Sequence, residues 1–302
     1  MKTIKFEHNC NSIEQALTLA TAKLAARVGG QDGAMEARLL LQHVLGVNRA
    51  WLIAHPDAAL QANRDAEFQA LLARRLDGEP IAYLIQCREF YGLTLYVTPA
   101  TLIPRPDSET LVDAALAKIP NLASTPITVL DLGTGSGAIA LAIAHNRPQA
   151  TVLAVDAASD ALAVAKHNAA NLKLNNVQFA LSNWYVGLAE QRFDMIVSNP
   201  PYIADNDPHL SQADLRFEPM HALAAGTDGL DDLRQIIENS LLHLKPQGWL
   251  MLEHGYDQAA AVRELMAHAG LVDVSTRQDL GGNDRVTLGK NPLIVSQHWD
   301  VS

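Results

Sequence analysis

The sequence predicts an α/β fold in which a mainly parallel sheet is covered by helices on both faces and preceded by a small helical bundle. From about residue 108 onward, short apolar runs that fit strands alternate with helical patterns, which is typical of a parallel sheet. Before about residue 85 the apolar residues recur only at helical spacing. We therefore expect a helical domain at 1–85, a linker at 86–107 and an α/β domain at 108–290.

The N-terminal domain is expected to consist of helices that share one core. Ser12 and Gln15 have the spacing of a capping box for the first helix, and Gly29-Gly30 ends it. Three further helical patterns follow, and they begin at Met35, just after Asn48 and near Arg64. Asn48 is placed to cap the second of them. Residues 86–98 alternate between apolar and polar side chains, which favours a β-hairpin in the linker.

The elements of the second domain follow from its alternating pattern. Strands are expected near 127–131, 151–155, 177–181, 193–198, 248–253, 271–276 and 284–289. Helices are expected near 108–118, 137–146, 159–171, 229–244 and 257–269. Residues 203–230 are long for a loop, so we expect this segment to be functional.

A glycine-rich turn, from Asp131 to Ala138, connects the first strand of this domain to a helix. Such a turn lets the backbone approach a cofactor closely. The turn also satisfies the dinucleotide-binding fingerprint, so a function as a nicotinamide-dependent oxidoreductase remains an alternative. Asp156 ends the next strand, 21 residues past Gly135, and suits a ribose in either interpretation. Asp131 favours S-adenosylmethionine, because a carboxylate repels a pyrophosphate but attracts an ammonium and a sulfonium.

A second motif, Asn199-Pro200-Pro201-Tyr202, ends an apolar strand about 65 residues after the glycine turn. The prolines stiffen this turn, so the Asn199 side-chain oxygen and the Pro200 carbonyl are fixed in direction. Together they can hold one planar NH2 group by both of its hydrogens. The motif therefore predicts methylation of a weakly nucleophilic nitrogen, in an amide or an exocyclic amine. The alternative is an ordinary turn after a strand.

These motifs resemble the seven-strand S-adenosylmethionine-dependent methyltransferases that act on amide or amino nitrogens. Four other stretches are similar to the bacterial peptide chain release factor glutamine N5-methyltransferases, and they are 78–83, 102–107, 216–219 and 284–289. The similarity extends from Ile13 to Lys290. It implies a Rossmann-like methyltransferase sheet whose last two strands are antiparallel, with residues 1–85 recognising the substrate.

The resemblance also implies the reaction and the site residues. The substrate would be the glutamine in the Gly-Gly-Gln loop of class I release factors, and the cofactor S-adenosylmethionine. The cofactor-binding residues would be Gly133, Thr134, Gly135, Ser136, Gly137, Asp156, Trp184 and Asn199. The glutamine would be held by Asn199, Pro200, Pro201 and Tyr202, with Asn199, Pro200 and Tyr202 catalytic. Two features depart from the family: Asn183 replaces the usual Asp, and the tail 291–302 runs past the usual end.

The charge distribution argues against a nucleic acid partner. The net charge is −10, while residues 1–85 carry 9 basic and 9 acidic residues and are neutral. A DNA-modifying enzyme grips phosphates with a basic face, and the only adjacent basic pair is Arg74-Arg75. Adenine N6 in DNA is therefore a poor substrate, and a protein loop is favoured. Two alternatives remain. The substrate could be a glutamine of a large-subunit ribosomal protein, or the protein could be a catalytically silent adaptor that recruits release factor.

The composition fits a soluble globular protein, with 48% hydrophobic and 19% charged residues. No apolar run approaches the ~20 residues of a membrane span, and the first residues lack the core of a secretory signal. Cys10 and Cys87 have no metal-type spacing, so we expect reduced cytoplasmic thiols and no metal. We expect a monomer.

Overall fold

The computed structural model describes residues 12–28, 30–120, 126–188, 190–211 and 213–293. The chain divides into two compact units, Met1–Gln86 and Cys87–Ser302. The hairpin expected in a linker therefore belongs to the second unit. In the described ranges no helix is both long and apolar enough to cross a membrane.

The first unit is helical, as expected. Its helices are α1 (Ile13–Val28), α2 (Gly30–Leu45), α3 (Arg49–Ala54), α4 (Ala62–Asp77) and α5 (Ile81–Leu84). The Ser12 hydroxyl accepts a hydrogen bond from the backbone N–H of Gln15 at 3.3 Å. The Asn48 side chain likewise accepts one from Trp51 at 2.9 Å. Both predicted N-caps are confirmed.

Helix α2 begins earlier than Met35, where its apolar pattern begins. Its first turn contains small and polar residues, which gave no hydrophobic period in the sequence. Gly33 lies in this turn, and a Cβ added there would be 2.8 Å from the backbone nitrogen of Ala25. Glycine is therefore needed for the close approach of α1 and α2.

The core of the first unit contains a buried ion pair besides its apolar side chains, which include Leu24, Leu40 and Phe68. Arg75 donates from Nε and Nη2 to the two carboxylate oxygens of Glu36, at 2.8 and 2.9 Å. This two-pronged geometry joins α4 to α2. Removing one partner would leave a buried charge without compensation.

The second unit contains a hairpin and a seven-stranded sheet. The hairpin strands are β1 (Cys87–Phe90) and β2 (Leu93–Tyr96). The sheet strands are β3 (Thr128–Leu132), β4 (Thr151–Asp156), β5 (Val177–Leu181), β6 (Phe193–Ser198), β7 (Leu244–Glu253), β8 (Val272–Gln278) and β9 (Asp284–Lys290). The helices are α6 (Glu109–Leu116), α7 (Ala138–Asn146), α8 (Ser159–Leu172), α9 (Asp231–His243) and α10 (Ala259–His268).

The strand order is β5-β4-β3-β6-β7-β9-β8, and β9 runs antiparallel to both of its neighbours. The predicted seven-stranded sheet, with an antiparallel pair at its end, is confirmed. Strand β7 begins at Leu244, earlier than the expected 248, because Phe193 pairs with Leu244 before the register shifts to Met195 and Trp249. The intervening proline and glycine made this part of the strand look like a turn.

Successive residues of the central strands pack into two different cores. Val129 and Val197 lie in the core with α6 and α7, whereas Leu130 and Ile196 lie in the core with α9 and α10. Burial on both faces explains why these strands are continuous apolar runs. Asp131, Asp156 and Ser198 lie at or near the carboxyl ends of these strands, at the edge of the sheet where ligands bind in folds of this type.

The segment 203–230 is anchored to the rest of the unit. It contains 3-10 helices at Pro208–Ser211, Ala213–Phe217 and Met220–Ala222. Glu218 is buried, forms an ion pair with Arg105 and accepts a hydrogen bond from the backbone N–H of Ile103 at 3.0 Å. Glu218 is thus a structural tie between this segment and the chain before α6.

Candidate active site

A cavity of about 260 Å³ lies at the carboxyl edge of the central strands. It is lined by eight residues that the sequence predicted, and these are Gly133, Thr134, Gly135, Ser136, Asp156, Trp184, Asn199 and Pro201. Asn183 lines it as well. Gly137, Pro200 and Tyr202 are not among the lining residues. One cavity therefore combines the glycine turn with the Asn-Pro-Pro-Tyr turn.

The glycine turn connects β3 to α7 through residues with positive φ. Gly133 has φ +68, and a Cβ there would be 3.2 Å from the ring of Trp184. Gly137 has φ +85 and is the N-cap of α7, and its Cβ would be 3.0 Å from the Leu141 side chain. Only glycine combines this conformation with this proximity, so the backbone itself forms the cavity wall.

Asp131 is buried, with 1% of its surface exposed, and is not itself a lining residue. Its Oδ2 accepts a hydrogen bond from the Thr134 hydroxyl at 2.6 Å, and Thr134 lines the cavity. Its Oδ1 has no partner of good hydrogen-bond geometry among the described residues, although the backbone N–H of Ala140 is near enough to lower the pKa of this carboxyl. Burial raises the pKa of this carboxyl to about 7. A buried acceptor without a well-placed donor is costly, so Asp131 is suited to receive a cationic donor from a ligand.

Asp156 closes the glycine turn from the end of β4. Its Oδ2 accepts a hydrogen bond from the backbone N–H of Gly135 at 2.8 Å, and its Oδ1 accepts one from Ala158 at 2.9 Å. A carboxylate has about four lone-pair sites, so two stay available toward the cavity. This geometry suits a vicinal diol.

Trp184 forms another wall of the cavity. It adopts φ +48, which is uncommon for a residue other than glycine. The nearby carboxyl of Asp232 has its pKa raised by burial, and the Trp184 side chain acts in the opposite direction. Asp232 also lines the cavity. The indole ring lies against Gly133, at 3.2 Å from where a Cβ would be, and gives the cavity a flat apolar surface.

Asn199 follows β6, whose last residue, Ser198, donates a hydrogen bond to the carbonyl of Leu132 at 2.7 Å. The Asn199 Nδ2 donates to the Ser108 hydroxyl at 3.0 Å, which leaves Oδ1 for another donor. Tyr202 donates to Glu253 Oε1 at 3.3 Å, and its carbonyl accepts from Gln258 at 2.9 Å. Both ends of the Asn-Pro-Pro-Tyr turn are thereby fixed.

Sequence reasoning missed several polar residues of this region, among them Ser108, His221 and Asp232, which line the cavity, and Glu253, which contacts Tyr202. Ser108 and Asp232 lie at helix starts and His221 in a 3-10 helix, where polar side chains are common. Glu253 carried a usable signal, because it ends an apolar strand just as Asp156 does. Within the described residues, no group of three or more His, Cys, Asp or Glu side chains is arranged to hold a metal ion.

The sheet, the glycine turn and the Asn-Pro-Pro-Tyr turn together define a methyltransferase. Residues 108–217 match the family model "Methyltransferase small domain", and residues 15–85 match "PrmC N-terminal domain". A solved methyltransferase from Pyrococcus furiosus has a similar fold, with a TM-score of 0.51 at 19% identity over 73% of this chain and 98% of that one.

Two curated relatives narrow the family. The release factor glutamine methyltransferase of Xylella fastidiosa (strain Temecula1) is 54% identical over 85% of this chain and 93% of its own length. That of Escherichia coli (strain K12) is 50% identical over 84% of this chain and 91% of its own length. The chain belongs to the release factor glutamine methyltransferase family, and the resemblance found in its sequence is confirmed.

Proposed function

We propose that the protein transfers a methyl group from S-adenosylmethionine to the side-chain amide nitrogen, N5, of the glutamine in the Gly-Gly-Gln motif of class I release factors, as a cytoplasmic monomer. Membership of the release factor glutamine methyltransferase family supports the choice of release factor as the substrate. The observation that carries the chemistry is Asn199, whose Nδ2 is held by Ser108 while its Oδ1 remains for an NH2 group beside the cavity. Methyl transfer to a purified release factor tests the proposal.

The residues present fit S-adenosylmethionine. Asp131 Oδ1 is a buried acceptor without a well-placed donor, which suits an ammonium group. Asp156 has lone pairs left for the ribose hydroxyls, and Trp184 offers a flat surface to an adenine ring. Gly133 and Gly135 keep the cavity wall free of side chains at their positions. When bound, the cofactor supplies a methyl group that its sulfonium has already activated.

The protein's own task is to orient the glutamine amide. An amide nitrogen is a poor nucleophile because its lone pair is delocalised into the carbonyl. Asn199 Oδ1 and the Pro200 carbonyl would accept both amide hydrogens and favour rehybridisation of the nitrogen as charge develops. The stiffness of the turn keeps these oxygens aligned before the reaction, and such orientation can supply ~7–11 kcal/mol. Tyr202 would pack beside the glutamine and exclude water.

Cofactor binding is expected to strengthen as pH rises from 6 to 7. Burial holds the pKa of Asp131 at about 7, above its ordinary value, so the carboxyl is mostly neutral at the lower pH and half ionised at the higher one. Only the ionised form attracts an ammonium, so affinity should increase by roughly fivefold. Calorimetric titration measures this. Asp131→Asn keeps an acceptor for Thr134, and its affinity should be weak at both pH values; an equal rise in the variant would contradict the role of Asp131.

The alternatives from the sequence have direct tests. Titration with NAD should give no binding, because the buried carboxylate of Asp131 disfavours a pyrophosphate. The alternative substrate, a glutamine of a large-subunit ribosomal protein, would fit the same Asn-Pro-Pro-Tyr turn. Competition between the two purified substrate proteins for one enzyme separates them, and preferential methylation of the ribosomal protein would refute the assignment.

We further propose that the first unit, Met1–Gln86, provides a second contact with the release factor. A lone glutamine is too small to select one protein among many. Apolar side chains lie exposed on its helices, including Ile53 at 66% and Met35 at 54%. Its neutral charge also avoids the repulsion that the acidic second unit exerts on other acidic surfaces.

A chain that begins at Gln86 is expected to bind S-adenosylmethionine normally but to methylate release factor at least about tenfold less efficiently. It should act on a short Gly-Gly-Gln peptide as well as the full-length chain does, because the peptide reaches only the cavity. Measured kcat/KM for both substrates checks this. Ile53→Asp in the full-length chain is the companion variant, with Leu280→Asp, an exposed position of the second unit, as its control. If the truncated chain and the Ile53→Asp variant methylate release factor as efficiently as the full-length chain, the first unit does not contact release factor.

A further inference from the structure

We propose that Asn168 is a positioning residue for cofactor binding, because its side-chain amide on α8 holds the glycine turn and the hairpin together. This inference rests on the proposed function only for the identity of the cofactor, S-adenosylmethionine. Asn168 belongs to none of the motifs that the sequence singled out for the reaction, and it does not itself line the cavity.

The Asn168 amide is buried and fully used by backbone groups. Asn168 is 1% exposed. Its Oδ1 accepts a hydrogen bond from the N–H of Tyr96 at 2.7 Å, and its Nδ2 donates to the carbonyl of the same residue at 2.9 Å. Nδ2 also donates to the carbonyl of Ser136 at 2.9 Å. Only one orientation of the amide satisfies all three backbone groups, so the side chain is fixed in place.

One of these bonds holds the glycine turn from behind. Ser136 lines the cavity and lies between Gly135 and Gly137, both of which have positive φ. The peptide group that joins Ser136 to Gly137 is held at both ends, because the Gly137 N–H donates to the Thr134 carbonyl at 2.8 Å. Asn168 therefore helps to keep a turn rich in glycine in the one conformation that forms the cavity wall.

The other two bonds hold the hairpin. Tyr96 is the last residue of β2, and the Asn168 amide offers it an acceptor and a donor, as a neighbouring strand would. The hairpin contributes Phe90 to the cavity, and the chain that follows it contributes Ala100. Asn168 thus connects two walls of one cavity, and binding of the cofactor against the glycine turn should also steady the hairpin.

A second asparagine separates this role from general support of the fold. The Asn176 Nδ2 lies 3.1, 3.4 and 3.1 Å from the carbonyl oxygens of Ala144, Arg147 and Ala150. These carbonyls lie between the end of α7 and the start of β4, at the edge of the sheet opposite to the cavity. Both asparagines support backbone, but only Asn168 holds a residue that lines the cavity.

Calorimetric titration with S-adenosylmethionine and measurement of Tm test the proposal on full-length Asn168→Ala and Asn176→Ala. Both substitutions should lower Tm, because each leaves backbone groups without their partner. Asn168→Ala should also weaken cofactor binding by roughly tenfold, a size typical of residues that act on a ligand without touching it. Asn176→Ala should bind the cofactor as tightly as wild type. Wild-type affinity in folded Asn168→Ala, or an equal loss in Asn176→Ala, would overturn the role of Asn168.

Hydrogen exchange of the wild-type chain tests the same connection without any substitution, and so decides if Asn168→Ala does not fold. The Tyr96 N–H does not line the cavity, yet its exchange should slow by at least about threefold when S-adenosylmethionine is added. The control is the Thr128 N–H, which the Asp194 carboxylate holds at 2.8 Å at the opposite edge of the sheet. If Tyr96 slows no more than Thr128, the inference is overturned. A wild-type chain that does not bind S-adenosylmethionine would instead overturn the proposed function.

Discussion

Replacing Asn199 with Ala is expected to lower kcat by about 10²–10³-fold at saturating release factor and cofactor. The substitution removes the side-chain oxygen that aligns the amide and leaves the Pro200 carbonyl as the remaining acceptor. The interaction strengthens as charge develops on the nitrogen, so its loss should appear in kcat more than in KM. Some cofactor affinity should be lost too, because Asn199 lines the same cavity.

The matched control is Asn171→Ala, which makes the same change at an exposed position on α8. It should leave turnover unchanged. If Asn199 only shaped the turn, a folded Asn199→Ala enzyme would keep substantial kcat, and near-wild-type turnover would refute the proposed chemistry. Cofactor titration of the variant shows whether its cavity is intact.

Replacing Asp156 with Ala is expected to weaken binding of S-adenosylmethionine by at least about 100-fold, roughly 3 kcal/mol. Two charge-assisted hydrogen bonds to the ribose would be lost, each worth ~1.5–3 kcal/mol. The substitution also frees the N–H of Gly135, which Asp156 holds at 2.8 Å. The loss therefore combines a direct contact with relaxation of the glycine turn, and calorimetric titration measures the sum.

Asp160→Ala is the control, since Asp160 is an exposed carboxylate in the first turn of α8, just after Asp156 in the chain, and should not affect affinity. Asp156→Asn separates the two contributions, because an amide oxygen can still accept from Gly135. An intermediate affinity is expected for it. Unchanged affinity in folded Asp156→Ala would contradict any role of this carboxylate in binding.

The architecture could be predicted because its signals are local. Strands such as Phe193–Ser198 and Val177–Leu181 are short apolar or alternating runs, and their bounds are those expected. The N-caps at Ser12 and Asn48 were readable for the same reason, since each cap bonds within three residues. Errors occurred where tertiary packing replaced local preference, as in the glycine-containing start of α2 and the register shift that extends β7.

The cofactor side of the cavity was predictable, whereas the support of the amide site was not. The glycine turn and Asp156 are close in sequence and fixed by strand order. The partners of Asn199 and Tyr202, by contrast, are 91 and 51 residues away in the chain. Ser108 begins a helix, and nothing local to it signals a bond to the Asn-Pro-Pro-Tyr turn. Attention to polar residues at strand ends would have found Glu253, which ends β7 and accepts from Tyr202, as it found Asp156.

The central claim is tested most directly by mass spectrometry of a purified class I release factor after incubation with the enzyme and S-adenosylmethionine. The account predicts a mass increase of one methyl group, located by fragmentation on the glutamine of the Gly-Gly-Gln motif, and no increase with Asn199→Ala. An unmodified release factor, or a methyl group on any other residue, would contradict it.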